Sequence, residues 1–298
     1  MTKRIKSDLH GWLIIDKPAG LTSARVVGAV KRATGAKVGH AGTLDPLATG
    51  ILPLALGEAT KTVQFATAGR KRYRFRVRWG VATDTDDREG EVVAETSARP
   101  DPAAIAAALP GFTGTILQRP PAYSAIKIGG RRAYALARAG RSPTLAERPV
   151  EIAELRLLDV PDPDHAEFEA SVGEGTYIRS LARDLAAALG TLGHIVELRR
   201  LAVGRFTEAQ AISLESAVAL GHSLAASEHL LPIETALDDI PALALTAAEA
   251  ARLRHGQRVP VVDRLDEGTL VGACHDRLLV ALARIEAGGL RPVRIINR

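Results

Sequence analysis

Asp45 stands out as a reactive group because of its surroundings: Gly39-His40-Ala41-Gly42-Thr43-Leu44-Asp45-Pro46-Leu47-Ala48-Thr49-Gly50. The glycines permit backbone conformations and close approaches that a Cβ forbids, and Pro46 fixes the chain just after the acid. A solvated turn needs no such control around one carboxylate. An aspartate held this way can act as a base, a metal ligand or a nucleophile. Metal binding is poorly supported: His40 is five residues away, and no second His or Cys occurs between residues 11 and 164. A Ser-His-Asp triad lacks its Gly-x-Ser-x-Gly elbow, and the Gly35-Ala36-Lys37 run misses the spacing of a phosphate loop. What remains is a lone carboxylate in a basic segment, with neither metal nor cofactor implied.

The flanking elements must position that loop. Residues 12–15 read as a short strand ended by Pro18 and Gly20. Thr22 or Ser23 caps a helix that stops near Gly35, with Val26, Val27 and Val30 on its apolar side. Tyr73, Phe75, Val77 and Trp79 alternate with Arg72, Arg74, Arg76 and Arg78, which predicts a strand with one buried face. Its four arginines form either a solvated edge or a phosphate-facing row. Asp84, Asp86 and Asp87 resemble a calcium loop, but Arg88 takes the next ligand position and the glycine is misplaced, so the segment reads as a turn. Strands are predicted over 91–95, 123–128, 152–160 and 167–172, and a short helix over 102–109. Arg131 to Arg138, including Tyr134, is predicted as a basic helix that either clamps RNA or is simply solvated. Ile178, Leu181, Leu185 and Leu189 mark one face of a helix that carries Arg179, Arg183 and Asp184 on the other. Strands interleaved with helices of uneven length predict an α+β fold with a mixed sheet.

From about Asp239 the texture changes to short strand-like pieces (258–262, 269–275, 278–285 and 292–296) separated by Asp and Gly turns. The expected organisation is a catalytic domain over 1–238 and a small β-rich module over 239–298.

At 298 residues the chain can bury a substantial core, and 46% apolar residues indicate a globular protein. No apolar run approaches the roughly 18 residues of a membrane span, and the basic N-terminus lacks the apolar stretch of a secretory signal. The only cysteine, Cys274, excludes an internal disulfide and fits a reducing cytoplasm, with its thiol expected to be a buried small hydrophobe. The net charge of +5 is uneven. Residues 1–80 hold 15 Lys/Arg against four Asp/Glu, so the segment with Asp45 is strongly basic and points to a polyanionic partner, nucleic acid above all.

The Asp45 run, together with Asp16-Lys17-Pro18-Ala19-Gly20-Leu21-Thr22-Ser23, Lys71-Arg72-Tyr73 and Gly175-Thr176-Tyr177-Ile178-Arg179-Ser180-Leu181, closely resembles the TruB family of bacterial tRNA pseudouridine-55 synthases. The likeness runs from about Trp12 to Leu201. More weakly, the C-terminal module resembles the PUA domain of many TruB proteins. The resemblance implies a pseudouridine synthase fold and isomerisation of uridine at position 55 in the T loop of tRNA. In that reaction uracil leaves ribose at N1, rotates, and rejoins through C5, with no cofactor. It makes Asp45, Tyr73 and Arg179 the catalytic set. Asp45 either attacks ribose C1′ or removes a ribose proton to give a glycal. Both routes need it ionised, which a neighbouring cation such as Arg179 favours. Tyr73 would stack on the target base and handle protons, Tyr177 and Leu198 would wall the pocket, and His40 would fill the gap left by the flipped nucleotide. Lys17 would support the Asp45 loop.

The family likeness further implies a monomer that binds the tRNA T stem-loop without guide RNA or membrane, with RNA folding as a possible second activity. A guide-dependent relative would carry Lys-rich extensions, whereas this chain has eight lysines. A pure RNA-binding protein would gain nothing from a carboxylate at the centre of a basic surface.

Overall fold

The computed structural model describes residues 8–124, 127–128, 131–132, 145–260 and 265–298. Its strands to residue 203 are β1 (Gly11–Lys17), β2 (Val38–His40), β3 (Thr49–Leu56), β4 (Lys71–Trp79), β5 (Val81–Thr83), β6 (Val92–Glu95), β7 (Gly114–Gln118), β8 (Lys127–Ile128), β9 (Arg131–Arg132), β10 (Arg148–Asp162), β11 (His165–Val172) and β12 (Gly193–Val203). The main sheet runs Ile212–Ser213, β1, β3, β12, β4, β11, β10, β7. Most pairs are antiparallel, but β3 pairs with β12 and β1 with Ile212–Ser213 in parallel, so the sheet is mixed as expected.

Period-2 alternation splits the interior strands between two cores. Leu13 and Ile15 of β1 and Phe75, Val77 and Trp79 of β4 face one core, which also takes Val26 and Val30 of the Ser23–Thr34 helix and Ile178, Leu181 and Leu185 of the Ile178–Ala188 helix. Trp12 and Ile14 face the opposite way and share a second core with Ile51, Val203, Phe206, Ile233, Leu279, Leu282 and Ile296. The Ser23–Thr34 helix begins and ends as expected: Thr22 Oγ1 accepts from Arg25 N at 3.2 Å, and Gly35, in the left-handed region, closes it through its N–H to Lys31 O.

After residue 238 the strands Ala242–Ala244, Leu270–His275, Leu278–Glu286, Gly289–Ile295 and Val259–Pro260 form a separate five-stranded sheet, in that order. This sheet has a small core of its own and also closes the second core of the main sheet through Leu279, Leu282 and Ile296.

The structure departs from the sequence reading in several places. Two interior strands, β3 and β12, were not predicted. Of the strand expected over 123–128, residues 127–128 form β8, which pairs with β9, residues 123–124 are not strand, and 125–126 lie outside the described residues. Arg131 and Arg132 are therefore strand and not helix, and the rest of that basic segment, with Tyr134, lies outside the described residues. The strand expected over 258–262 is seen at Val259–Pro260, with 261–264 again outside the described residues. Cys274 is half-buried, its Sγ 3.7 Å from Gly272 O.

The arginine face of β4 is an ion-pair ladder. Arg72 and Arg74 approach Glu169, Arg76 pairs with Glu167 and Glu197, and Arg70 pairs with Glu151. Part of the positive excess of residues 1–80 thus faces carboxylates from later in the chain. No helix among the described residues is long and apolar enough to cross a membrane.

Candidate active site

One row of register partners crosses the middle of the sheet: Lys17 on β1, Gly50 on β3, Arg200 on β12, Tyr73 on β4 and Ala170 on β11. Cross-strand partners share a face. This face is the one packed by the Ile178–Ala188 helix, where Leu198 and Phe75 are also partners and Tyr73 packs against the core. The Asp45 loop leaves β2 and re-enters the sheet at β3 directly over that row.

Four side chains hold the loop. Lys17, with no exposed surface, donates from Nζ to Pro18 O (2.9 Å), Leu21 O (2.7 Å) and Pro46 O (3.2 Å). Burial pulls its ammonium down to about 8, against the opposing pull of Asp45 and Glu89. Ser23 Oγ accepts from Leu44 N and donates to Leu44 O, a two-way grip on the residue before Asp45. Arg200 donates from Nε to Ile51 O (2.7 Å) and from its other nitrogens to Gly42 O (3.0 Å) and Thr43 O (3.4 Å). Arg179 Nε reaches the carboxylate itself, 3.0 Å from Asp45 Oδ2.

Of the two loop ends, Gly42 (φ 90°) and Gly50 (φ 97°) are in the left-handed region. A Cβ on Gly50 would sit 2.2 Å from Arg200 O, so glycine is required for β12 to lie against the loop exit. Gly39, within β2, carries no such constraint.

Arg179 lies in the first turn of the Ile178–Ala188 helix and is 3% exposed. Besides Asp45 it donates to Thr85 O (2.8 Å) and Tyr123 O (2.9 Å), and Nη1 is 3.4 Å from Asp87 Oδ2. Asp87 is equally buried and accepts from Thr85 Oγ1 (2.7 Å) and Glu89 N (3.0 Å). One cation is thus shared by a buried carboxylate and by Asp45, which is one-third exposed and open to a ligand. One helical turn on, Arg183 Nη1 pairs with Asp86 Oδ2 at 2.9 Å, fastening the same turn to the same helix.

Tyr177 precedes that helix. Its backbone is bracketed by the buried Gln118 (N to Oε1 2.8 Å, Nε2 to O 3.1 Å), and its ring lies 5.4 Å from the Arg148 guanidinium. Leu198 is buried beneath the row. His40 ends β2, and its buried Nδ1 has no hydrogen-bond partner among the described residues; burial, reinforced by Arg200, shifts the imidazole below its usual range.

Asp87, Ser23, Gln118 and Arg200 were given no role in the site from the sequence. A buried arginine is spelled like a solvated one, and Asp87 sits in a run that reads as an ordinary turn.

Residues 30–178 match the TruB family pseudouridylate synthase (N terminal domain), 179–238 the tRNA pseudouridylate synthase B C-terminal domain, and 241–296 the C-terminal domain described as pseudouridine synthase II TruB. The chain belongs to the TruB family. It is 53% identical to the tRNA pseudouridine synthase B of Rhodospirillum rubrum over 97% of each chain. It is 50% identical to the protein of that name from Caulobacter vibrioides, over 100% of this chain and 99% of the relative. Among solved structures it is similar to a Cbf5-Nop10-Gar1 complex (27% identity, TM-score 0.73, 97% of this chain and 85% of that chain) and to the archaeal box H/ACA sRNP Nop10-Cbf5 complex (25% identity, TM-score 0.73, 98% and 87%). As a TruB-family isomerase, the chain has the mixed-sheet pseudouridine synthase fold with a β-rich C-terminal domain.

Proposed function

We propose that this chain isomerises uridine to pseudouridine at position 55 in the T loop of tRNA, with Asp45 as the reacting carboxylate. The observation that carries the reading is the 3.0 Å contact between Asp45 Oδ2 and Arg179 Nε. A buried guanidinium held by two carbonyls and Asp87 presents a fixed positive charge to a carboxylate that is still open to solvent. That arrangement aims Asp45 for attack at ribose C1′ or for proton removal from ribose. The relatives named tRNA pseudouridine synthase B support tRNA as the substrate.

In this reading Tyr73 stacks on the target base and takes part in proton handling, while Leu198 and Tyr177 wall the uracil pocket. Extruding a stacked and paired uridine costs a few kcal/mol, and His40 fills the space it vacates. The buried Nδ1 of His40, unpartnered among the described residues, supports a contact with RNA. Lys17 fixes the loop and does not react. Residues 1–238 form the catalytic part, and 239–298 a PUA-like module that adds phosphate contacts. The protein works as a cytoplasmic monomer without guide RNA, metal or cofactor.

The test is release of tritium from C5-labelled uridine in a T stem-loop by the purified protein, with chelator and without nucleotide. C5 becomes the new glycosidic carbon and must lose its hydrogen. Release that stops when the target uridine alone is replaced by cytidine is expected. Tight RNA binding without release would overturn the reading in favour of a binding or guide-dependent role.

A further inference from the structure

We propose that Arg200 is a positioning residue for the reaction at Asp45, closing the Asp45 loop by gripping its backbone at both ends with one guanidinium. The proposal rests on the isomerase reading above. Nε holds Ile51 O just past the loop exit, while Nη2 and Nη1 hold Gly42 O and Thr43 O near its entry. Three donors of a rigid planar fork thus fix the span within which Asp45 sits, a geometry that the single ammonium of a lysine cannot reproduce.

The burial of this charge calls for a reason. Arg200 is 1% exposed, and among the described residues its bonds go to neutral carbonyls. Its neighbour Arg199, on the opposite face, pairs with Asp16 and Glu208. A buried cation without a counter-charge is a costly way to fill a core that a methionine would fill more cheaply. The surroundings are fitted to it as well. The backbone of Arg200 occupies the space that a Cβ on Gly50 would need, and Nη1 lies 3.3 Å from where a Cβ on Gly42 would stand. Gly42 thus leaves room for the guanidinium itself, while Gly50 leaves room for the β12 backbone from which the side chain starts. Arg200 is also the register partner of both Gly50 and Tyr73, so its side chain starts from the strand position between the Asp45 loop and the tyrosine. It acts through the backbone and touches no reacting atom.

The experiment compares wild type with Arg200→Lys, which keeps the charge and loses the fork, and Arg200→Met, which loses both. Arg156→Met, on a strand remote from the loop, is the control. Readouts are single-turnover tritium release, RNA affinity and amide hydrogen exchange of residues 42–48. Misplacement of a reacting group by about 1 Å is enough for a rate loss of about 10²-fold. Both Arg200 variants are expected to show a loss of that order, faster exchange at 42–48 and unchanged RNA affinity, while Arg156→Met changes none of these. A wild-type rate in Arg200→Lys would overturn the fork argument. A lowered melting temperature with a wild-type rate below it would reduce Arg200 to a stability role and overturn the proposal. If wild type itself releases no tritium, the isomerase reading fails separately, and unchanged protection at 42–48 in Arg200→Lys would still refute loop closure. Should Arg200→Met fail to fold, Arg200→Gln takes its place in the comparison.

Discussion

Replacing Arg179 by methionine separates what this residue does for stability from what it does for chemistry. The guanidinium has four partners: Asp45 Oδ2 at 3.0 Å, Thr85 O at 2.8 Å, Tyr123 O at 2.9 Å and Asp87 Oδ2 at 3.4 Å. Asp45 is partly exposed and can turn to water when the cation goes. Asp87 cannot, and among the described residues it keeps only the Thr85 hydroxyl and the Glu89 amide. An uncompensated buried charge of this kind costs about 3–5 kcal/mol, which for a chain of this size lowers the melting temperature by roughly 5–8 °C. Adding Asp87→Asn removes the stranded charge, so the double variant should regain about 1–3 kcal/mol relative to Arg179→Met. It should regain no turnover, because Asp45 still lacks its cation, and loss of one preorganised charge is worth about 10²–10³ in rate. Urea unfolding and single-turnover tritium release on a T stem-loop measure the two effects on the same samples. A stability loss below about 1 kcal/mol in Arg179→Met, or restored turnover in the double variant, would refute the shared-cation argument.

Two further expectations follow from burial. The Lys17 ammonium, at about 8 in the folded protein against 10.5 ordinarily, binds fewer protons than the unfolded chain between those values. Its titration therefore makes stability rise with pH across that window, by at most about 3 kcal/mol. The rise should vanish in Lys17→Met, and a Lys17 NMR titration with its midpoint near the ordinary lysine value would contradict it. Removing residues 239–298 uncovers the core that Leu279, Leu282 and Ile296 share with Trp12 and Ile14. It also breaks the bonds from Leu279 N to Glu234 and from Asn297 N to Glu58. The truncated chain should bind hydrophobic dye and aggregate, and a folded monomer with wild-type melting would show that the module is a true appendage.

The strand with alternating arginines, the Thr22-capped helix and the helix bearing Arg179 were legible because each has unbroken periodicity and clear end signals. Strands β3 and β12 were not, although they are central to the sheet. Pro53 interrupts the strand pattern of β3. In β12, Glu197, Arg199 and Arg200 mimic a surface segment, and bulges at 195–197 and 200–202 shift the alternation. At the site, Asp45 and Arg179 could be chosen because their motifs are specific. Asp87 and Arg200 act through burial and long-range backbone contacts, and neither leaves a local pattern. The basic excess of residues 1–80 pointed to nucleic acid, yet several of those arginines are engaged by Glu151, Glu167, Glu169 and Glu197, whose nearness only the strand order reveals.

The central claim is that Asp45 performs the chemistry and does not serve to bind RNA. Its most direct test is single-turnover tritium release by wild type and Asp45→Asn at saturating T stem-loop, with affinities measured in parallel. The account predicts that Asp45→Asn binds the stem-loop as wild type does and releases no tritium. Sustained release by Asp45→Asn, with deamidation excluded by mass spectrometry, would contradict it.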